Sequence, residues 1–269
     1  MSNLAIAVPT MNPTLLKGCL WKAWGSAFTA IDTFVWLNGI QTEVNELLLG
    51  EENMFCGDFW VGGSEKNIGV TPALHQLYEM ANQADLAEND FLLFLHDDTL
   101  IFEKDWDVKV LDWLSERPEA VLFGFGGAKG LGDPDLYQKP YQLQQLARRD
   151  FISNMKNADL HGRRVTVPTR VATLDLFSVG ARMSFLRDLK GWSWWPHVHH
   201  GLDNAICLEA KRRGGEVWML PIACDHLGGQ TSTKVNFQST FGEAEGKIHS
   251  DGHVTLYEGY RDILPVMEA

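Results

Sequence analysis

The strongest constraint on the fold is an apolar run, Phe91 to Leu95, that ends abruptly in His96, Asp97 and Asp98. Five hydrophobic residues without a helical period are typical of a strand buried on both faces at the centre of a parallel sheet. Such sheets bind ligands beyond the carboxyl ends of their strands, so we expect these polar residues to lie in a ligand site. Adjacent carboxylates favour a divalent cation, Mg²⁺ or Mn²⁺, that holds a phosphate. The alternative is an ordinary strand-to-helix junction in which Asp98 caps the next helix.

Composition indicates one globular unit. The chain has 269 residues, of which 45% are hydrophobic and 22% are charged. No apolar run approaches the roughly 18 residues of a membrane span, and the amino terminus lacks the pattern of a secretory signal. The four cysteines are scattered without metal-site spacing, which predicts reduced thiols and a cytoplasmic protein.

The charge and tryptophan content indicate which kinds of partner the protein is expected to bind. A net charge of −12 argues against a large nucleic-acid footprint. One basic patch, formed by Arg148, Arg149, Lys156, Arg163 and Arg164, leaves room for a local anionic partner. Several of the ten tryptophans are candidates for stacking on sugars, although each is also a candidate for the core.

The periodicity predicts alternating strands and helices, which indicates a doubly wound α/β sheet. A strand near residues 4–9 that Pro9 stops, a helix at 13–30 and a strand at 33–39 form the first unit. A second helix is predicted to begin with Thr71 as its cap. The later elements are strands at 55–61, 120–125, 171–177 and 216–221, helices at 105–115 and 200–215, a glycine-rich loop at 126–135 and a polar insertion or flap at 137–167.

Six segments occur in an order that is informative as a set: Val8-Pro-Thr-Met-Asn12, Asn67-Ile-Gly69, Leu95-His-Asp-Asp98, Gly201-Leu-Asp-Asn-Ala-Ile-Cys-Leu208, Lys211 to Gly215, and His226. In this order they resemble the nucleotide-sugar-dependent glycosyltransferases of the GT-A fold, most closely those like glycosyltransferase family 2. The resemblance implies an α/β fold with a GT-A-like, Rossmann-type mixed sheet flanked by helices. It also implies one catalytic domain over 1–229, with a nucleotide-sugar half at 1–125, a flap at 126–170, an acceptor and base half at 171–229, and a tail or lid at 230–269.

The resemblance also implies roles for individual residues. Asp203 matches the general base, and Asp98 and His226 match the ligands of Mn²⁺ or Mg²⁺. The nucleotide side is matched by Pro9, Thr10, Asn12, Asn38, Asn67, Gly69, His96 and Asp97. The acceptor side is matched by Trp192, Trp194, Trp195, His199 and His200. The chain departs from the pattern at His96 and Asn38, where acids are usual. It also has Leu202-Asp203 at the helix start in place of the usual Glu-Asp, so Asp203 is the one matching acid there.

The expected function is therefore a metal-dependent transfer of a sugar from a UDP-sugar to an acceptor hydroxyl, with inversion at the anomeric carbon implied by the resemblance. A cation stabilises the charge of the departing diphosphate, and a carboxylate takes the proton of the hydroxyl. The alternatives are a carbohydrate-binding protein without catalysis, a glycosyltransferase that acts on a modified nucleic acid base, and a nucleotidyltransferase, for which residues 9–12 offer no phosphate loop. Asp203 as a helix cap, His226 as a turn residue, and the tryptophans and neighbouring histidines as packing or solvated residues are the non-functional interpretations.

Overall fold

A computed structural model of the chain describes residues 3–40, 56–132, 148–156, 162–228 and 235–268. Its strands are β1 (Leu4–Thr10), β2 (Ile31–Asn38), β3 (Cys56–Ser64), β4 (Phe91–Leu95), β5 (Thr99–Ile101), β6 (Ala120–Gly124), β7 (Gly126–Leu131), β8 (Arg148–Ser153), β9 (Arg163–Arg164), β10 (Thr169–Arg170), β11 (Thr173–Leu174), β12 (Ser178–Arg182), β13 (Glu216–Met219), β14 (Cys224–His226) and β15 (Val266–Met267). Its helices are α1 (Pro13–Ser26), α2 (Val70–Gln83), α3 (Trp106–Ser115), α4 (Met183–Leu189), α5 (Leu202–Arg212), α6 (Phe237–Phe241) and α7 (Glu245–Tyr260).

The main sheet has the strand order β10-β13-β6-β12-β4-β1-β2-β3 within the described residues. β3, β2, β1 and β4 are parallel to one another, whereas β12 lies antiparallel between β4 and β6. The predicted α/β class and mixed sheet are confirmed. β1 continues through Pro9 to Thr10, so the prediction that Pro9 ends this strand was wrong.

Side chains of β1 alternate between the two faces of the sheet, as a strand requires. Ala5 and Ala7 belong to a core on the face of α2, α4 and α5, and Leu4, Ile6 and Val8 belong to a core on the face of α1 and α3. Both faces are therefore covered, and β4 is buried along its whole length, as its unbroken apolar run predicts.

Two sequence predictions are corrected at segments that contain or adjoin glycines. The strand predicted at 171–177 is present only as the short β11, and the strand between β4 and β6 in the main sheet is β12, which begins at Ser178. Gly180 of β12 lies against the ring of Phe123, which an added Cβ would meet at 2.1 Å. The glycine-rich segment predicted as a loop contains β7, in which an added Cβ at Gly127 would meet the carbonyl oxygen of Thr173 at 2.4 Å. At Gly180 the missing side chain leaves room for the Phe123 ring, and at Gly127 it allows two backbones to approach.

β7 organises a second sheet with β11, β8, β9 and β15. Residues 133–147 and 157–161, which include part of the segment predicted as a flap, lie outside the described residues, and β8 and β9 come from its described part. Residues 235–268 include α6, α7 and β15, and Val266 pairs with Leu131. The Tyr260 hydroxyl of α7 donates a hydrogen bond to Glu209 of α5 at 3.1 Å, so this part of the predicted tail packs on the domain.

Cys19, Cys207 and Cys224 are buried free thiols. Among the described helices, none has the length and apolar content needed to cross a membrane.

Candidate metal and nucleotide site

His96, Asp97 and Asp98 follow β4 at the carboxyl edge of the main sheet. The amide of His96 donates to the carbonyl oxygen of Phe177 at 3.0 Å, which fixes the chain as it leaves the strand. The hydroxyl of Thr10, at the end of the neighbouring strand β1, donates to Asp97 at 2.6 Å. The carboxyl ends of two parallel strands therefore join their polar side chains, as expected for the ligand edge of such a sheet.

His226 reaches this edge through a short strand pair. β14 runs antiparallel to β5, and the register places His226 opposite Thr99, the residue after Asp98. His226 Nε2 consequently lies 3.2 Å from Asp98 Oδ1, and its ring stacks on Phe177 at 4.9 Å between centroids. Two residues separated by more than a hundred positions thus lie in contact, as the metal-site prediction requires.

His96 completes a group of three potential ligands. Its Nδ1 lies 3.4 Å from His226 Nε2, and one ligand atom from each of His96, Asp98 and His226 lies within 4.8 Å of the others. Ligand bonds of about 2.1 Å place neighbouring ligands about 3.0 to 3.4 Å apart, which agrees with the two close pairs. The residues present fit a divalent cation with open positions for phosphate oxygens and water. Two imidazoles with one carboxylate suit Mn²⁺ better than Mg²⁺, which prefers oxygen ligands.

The protonation states also fit a cation. Burial raises the pKa of Asp98, but the hydrogen bond from His226 and the nearby imidazoles outweigh it, so the net pKa of Asp98 is lowered. Burial and His226 lower the pKa of His96, whereas the acids Asp98, Asp175 and Asp203 oppose that shift. An ionised carboxylate and a neutral imidazole are the forms that bind metals.

Asn12 and Asn38, two residues predicted for the nucleotide side, make hydrogen bonds within the protein. Asn12 accepts hydrogen bonds from the amides of Thr14 at 3.1 Å and Leu15 at 3.4 Å, so its side chain caps α1. Asn38 is 5% exposed and donates to Asn67 Oδ1 at 3.0 Å. The buried amide of Asn38 thus holds the 67–69 loop, and its expected contact with the nucleotide stays a prediction.

Gly69 brings the nucleotide side against the segment before α5. Its φ is +91°, and an added Cβ would lie 2.8 Å from both Cβ and the carbonyl oxygen of Val198. Gly69 is also the N-cap of α2, so the prediction of Thr71 as the cap was wrong. The amide of Thr71 instead donates to the carbonyl oxygen of Val198 at 3.1 Å, which joins the 67–69 loop to residues 197–200.

Asp203 lies in the first turn of α5 and forms an ion pair that the sequence did not reveal. Arg148 of β8 donates to Asp203 and also pairs with Asp175 at 3.3 Å. Burial disfavours the charged guanidinium, but the two carboxylates outweigh it and raise the pKa of Arg148. Gly201, and not Asp203, is the N-cap of α5. Asp203 lies in the first turn and accepts a hydrogen bond from the amide of Asn204 at 2.8 Å. The charge of Asp203 acts on His96, which places it near the metal group.

The tryptophans predicted for the acceptor side are largely core residues. Trp192 is fully buried, with its ring 5.0 Å from that of Phe94, and Trp195 is 5% exposed. Both rings are packed in the core, and the expected stacking on a sugar stays a prediction for these two. Trp194 is half-buried and donates to the carbonyl oxygen of Gly191 at 3.0 Å.

His199 and His200 lie under α6. The ring of His199 lies 5.1 Å from that of Phe237 and 5.3 Å from that of Phe241. Burial, with smaller effects of His200 and His96, lowers the pKa of His199 to about 4. The two aromatic residues of α6 therefore cover His199.

The fold has counterparts among solved structures, although no family model matches the sequence and no curated protein resembles it significantly. A structure of GalNAc-T7 with UDP, GalNAc and Mn²⁺ matches with a TM-score of 0.62 and 14% identity, over 96% of this chain and 48% of that one. A structure of S. aureus TarS residues 1–349 in complex with UDP matches with a TM-score of 0.52 and 15% identity, over 81% of this chain and 57% of that one. The chain thus spans about half the length of these structures. From these likenesses and the strand order, we conclude that the chain has the GT-A glycosyltransferase fold.

Proposed function

We propose that this chain is a metal-dependent glycosyltransferase that moves a sugar from a UDP-sugar to an acceptor hydroxyl. The observation that carries the proposal is the group of His96, Asp98 and His226 at the carboxyl edge of a GT-A sheet. Both matching structures are complexes with UDP, and that of GalNAc-T7 also contains Mn²⁺. Pro9, Thr10, Asn12, Asn67, Gly69 and Asp97 are proposed to form or contact the nucleotide pocket, and the cytoplasmic location expected from the composition stays a prediction.

His96, Asp98 and His226 would hold the cation, which when bound supplies a positive charge for the diphosphate leaving group. The hydroxyl of Thr10 donates a hydrogen bond of 2.6 Å to Asp97, which orients this carboxylate beside the ligands. Asn38 and Asn67 fix the loop that borders the nucleotide side through their 3.0 Å hydrogen bond. These residues position the leaving group before reaction, so little reorganisation is needed when charge develops.

Asp203 is the proposed general base, and its ion pair with Arg148 sets a condition on the mechanism. One carboxylate oxygen accepts from Arg148 and the other accepts from the amide of Asn204 at 2.8 Å. An acceptor hydroxyl must therefore approach a lone pair of Asp203 beside the Arg148 contact, or displace that contact, before Asp203 takes its proton. Asp175, 3.3 Å from Arg148, can keep the guanidinium paired during this exchange. Attack from the face opposite the departing UDP would invert the anomeric carbon.

The test compares Asp203→Asn with Asp175→Asn, which removes the other carboxylate beside Arg148. UDP release from a panel of UDP-sugars with Mn²⁺ and candidate saccharide acceptors measures turnover, and calorimetry measures UDP binding. We expect Asp203→Asn to lower turnover at least 100-fold with UDP affinity preserved, because a general base contributes about 10² to 10⁴ in rate. Asp175→Asn should lower turnover much less than Asp203→Asn does, because Asp175 contacts Arg148 and is not itself the proposed base. Unchanged turnover in Asp203→Asn would remove Asp203 as the base.

The Arg148 ion pair also favours a second candidate, a carbohydrate-binding protein without catalysis. The buried guanidinium occupies the carboxylate that the first candidate requires as its base. Saccharide binding that is independent of UDP and Mn²⁺, together with no UDP release from any sugar donor, would select this candidate.

A further inference from the structure

A second group of titratable side chains lies on one face of α7. Glu245, His249 and His253 are spaced four residues apart, so they lie in a row along the helix. The Nε2 atoms of His249 and His253 are 3.2 Å apart. Tetrahedral zinc with Zn–N bonds of about 2.0 to 2.1 Å separates two ligands by about 3.3 Å. The pair on the helix therefore already has the separation of two ligands on one ion.

His200 faces this row from the segment before α5. Its ring lies 4.9 Å from that of His249, and its Nε2 lies 3.7 Å from Glu245 Oε1. The backbone of His200 is left-handed, with φ of +62°, and its carbonyl oxygen accepts from Trp195 Nε1 at 3.1 Å. An added Cβ at Gly252 would lie 3.4 Å from that oxygen, so this part of the segment sits directly on α7.

The buried nitrogens of the group lack ordinary partners. His253 is 8% exposed, and its Nδ1 has no hydrogen-bond partner among the residues that the structure describes. The Nε2 of His200 is likewise buried without a hydrogen bond in the described chain. Burial and His249 lower the pKa of His253, to about 4, and that of His200. These two imidazoles are therefore neutral at pH 7, the form that binds a metal without first losing a proton.

We propose that His200, His249, His253 and Glu245 form a zinc site that fastens α7 to the segment before α5. Three imidazoles with one carboxylate are a softer ligand set than the His96 group and suit Zn²⁺. Among the described residues, only His96, Asp98 and His226 have three ligand atoms within 4.8 Å of one another. The second set is thus preformed as two pairs, His249 with His253 and His200 with Glu245, which the cation draws together. The side chains of His200 and Glu245 are 28% and 42% exposed, which leaves them room to rotate.

The site lies beside the acceptor half of the domain. The charges of Asp203 and Arg148 act on His253, so this histidine is near the proposed base. A zinc ion here holds the C-terminal helix against the start of α5 and requires no sugar donor. The proposal therefore stands apart from the proposed transferase activity.

The test uses the full chain with Asp98→Asn and His226→Asn, which removes the first group of ligands. After treatment with a chelator and removal of the chelator, Zn²⁺ is added, excess metal is removed, and bound zinc is counted by mass spectrometry. We expect one zinc per chain and a melting temperature raised by about 5 °C when zinc is present at about 100 times its Kd. Co²⁺ in place of zinc should give the visible absorption of a tetrahedral site.

Adding His249→Gln and His253→Gln in this background should abolish zinc retention and the rise in melting temperature, whereas His75→Gln on α2 should change neither. If the double variant does not fold, Glu245→Gln gives the same information from a partly exposed residue, with zinc affinity reduced about tenfold. A parent that retains no zinc, or variants at Glu245, His249 and His253 that all bind zinc as the parent does, would overturn the proposal.

Discussion

Acidification should destabilise the protein through its buried histidines, and His253 allows this to be measured one residue at a time. Burial lowers the pKa of His253 from its usual 6.5 to about 4. Between these pH values the unfolded chain carries a proton on this imidazole and the folded chain does not. The free energy of unfolding therefore falls as the pH drops from about 6.5 toward 4.

The size of the effect follows from the shift. At pH 7 the histidine is neutral in both states and contributes almost nothing, whereas at pH 5 it costs about 2 kcal/mol. His199, whose pKa is also lowered to about 4, contributes a similar loss. His249 on the same helix and His200 on the facing segment surround His253, while Asp203 opposes the shift and Arg148 adds to it.

The assay is urea unfolding at pH 7 and pH 5 with a chelator present, comparing the parent with His253→Gln. We expect the parent to lose about 4 kcal/mol from His199 and His253 together, and the variant to lose about 2 kcal/mol less than the parent. Only the difference between the two pH values is compared, so any constant cost of the substitution cancels. His75→Gln is the control and should keep the parent's pH dependence. Equal losses in His253→Gln and the parent would refute a buried, neutral His253.

Three further substitutions test the site and its frame. Asp98→Asn should remove the Mn²⁺-dependent part of the UDP affinity measured by calorimetry, a loss of at least about 100-fold. The reason is that Asp98 is the only charged ligand in the group. UDP affinity that still depends on Mn²⁺ in this variant would place the metal elsewhere. Arg148→Met should lower the free energy of unfolding by about 3 kcal/mol, because it leaves two largely buried carboxylates unneutralised. Arg149→Met, at the exposed neighbouring position, should change the free energy of unfolding by less than about 0.5 kcal/mol. Equal effects of the two substitutions would show that the buried ion pair does not form. Gly69→Ala should lower the free energy of unfolding by about 2 to 4 kcal/mol in the same urea assay, because of the left-handed backbone at this position and the collision of the new Cβ with Val198. Stability equal to that of the parent would contradict the close approach of Gly69 to Val198.

The site's centre was predictable because its signal is local. The apolar run before His96 identifies a central strand, and the charged residues at its end have few structural roles there. His226 was placed through resemblance to a family, since only the pairing of β14 with β5 brings it to Asp98. His96 was expected near the ribose or a metal-bound water, because an acid usually occupies its position. The geometry instead adds its imidazole to the metal group.

The ion pair of Asp203 left no comparable signal in the sequence. Arg148 comes from a polar, basic segment and meets Asp203 across 55 positions of chain. Nothing in the composition near either residue indicates that contact, because it depends on how β8 pairs in the second sheet. The prediction of a loop at the glycines of β7 was wrong for a related reason. Local propensity disfavours a strand there, and the close packing of Thr173 against Gly127 explains the strand that forms.

The contact between Gly69 and Val198 has a consequence for the order of ligand binding. Residues 67–69 border the proposed nucleotide pocket, and residues 197–200 precede the helix that carries Asp203. Because no side chain separates these two segments, a displacement of one must shift the other. We therefore expect UDP and acceptor to bind interdependently, with each changing the affinity for the other by the same factor, whichever arrives first.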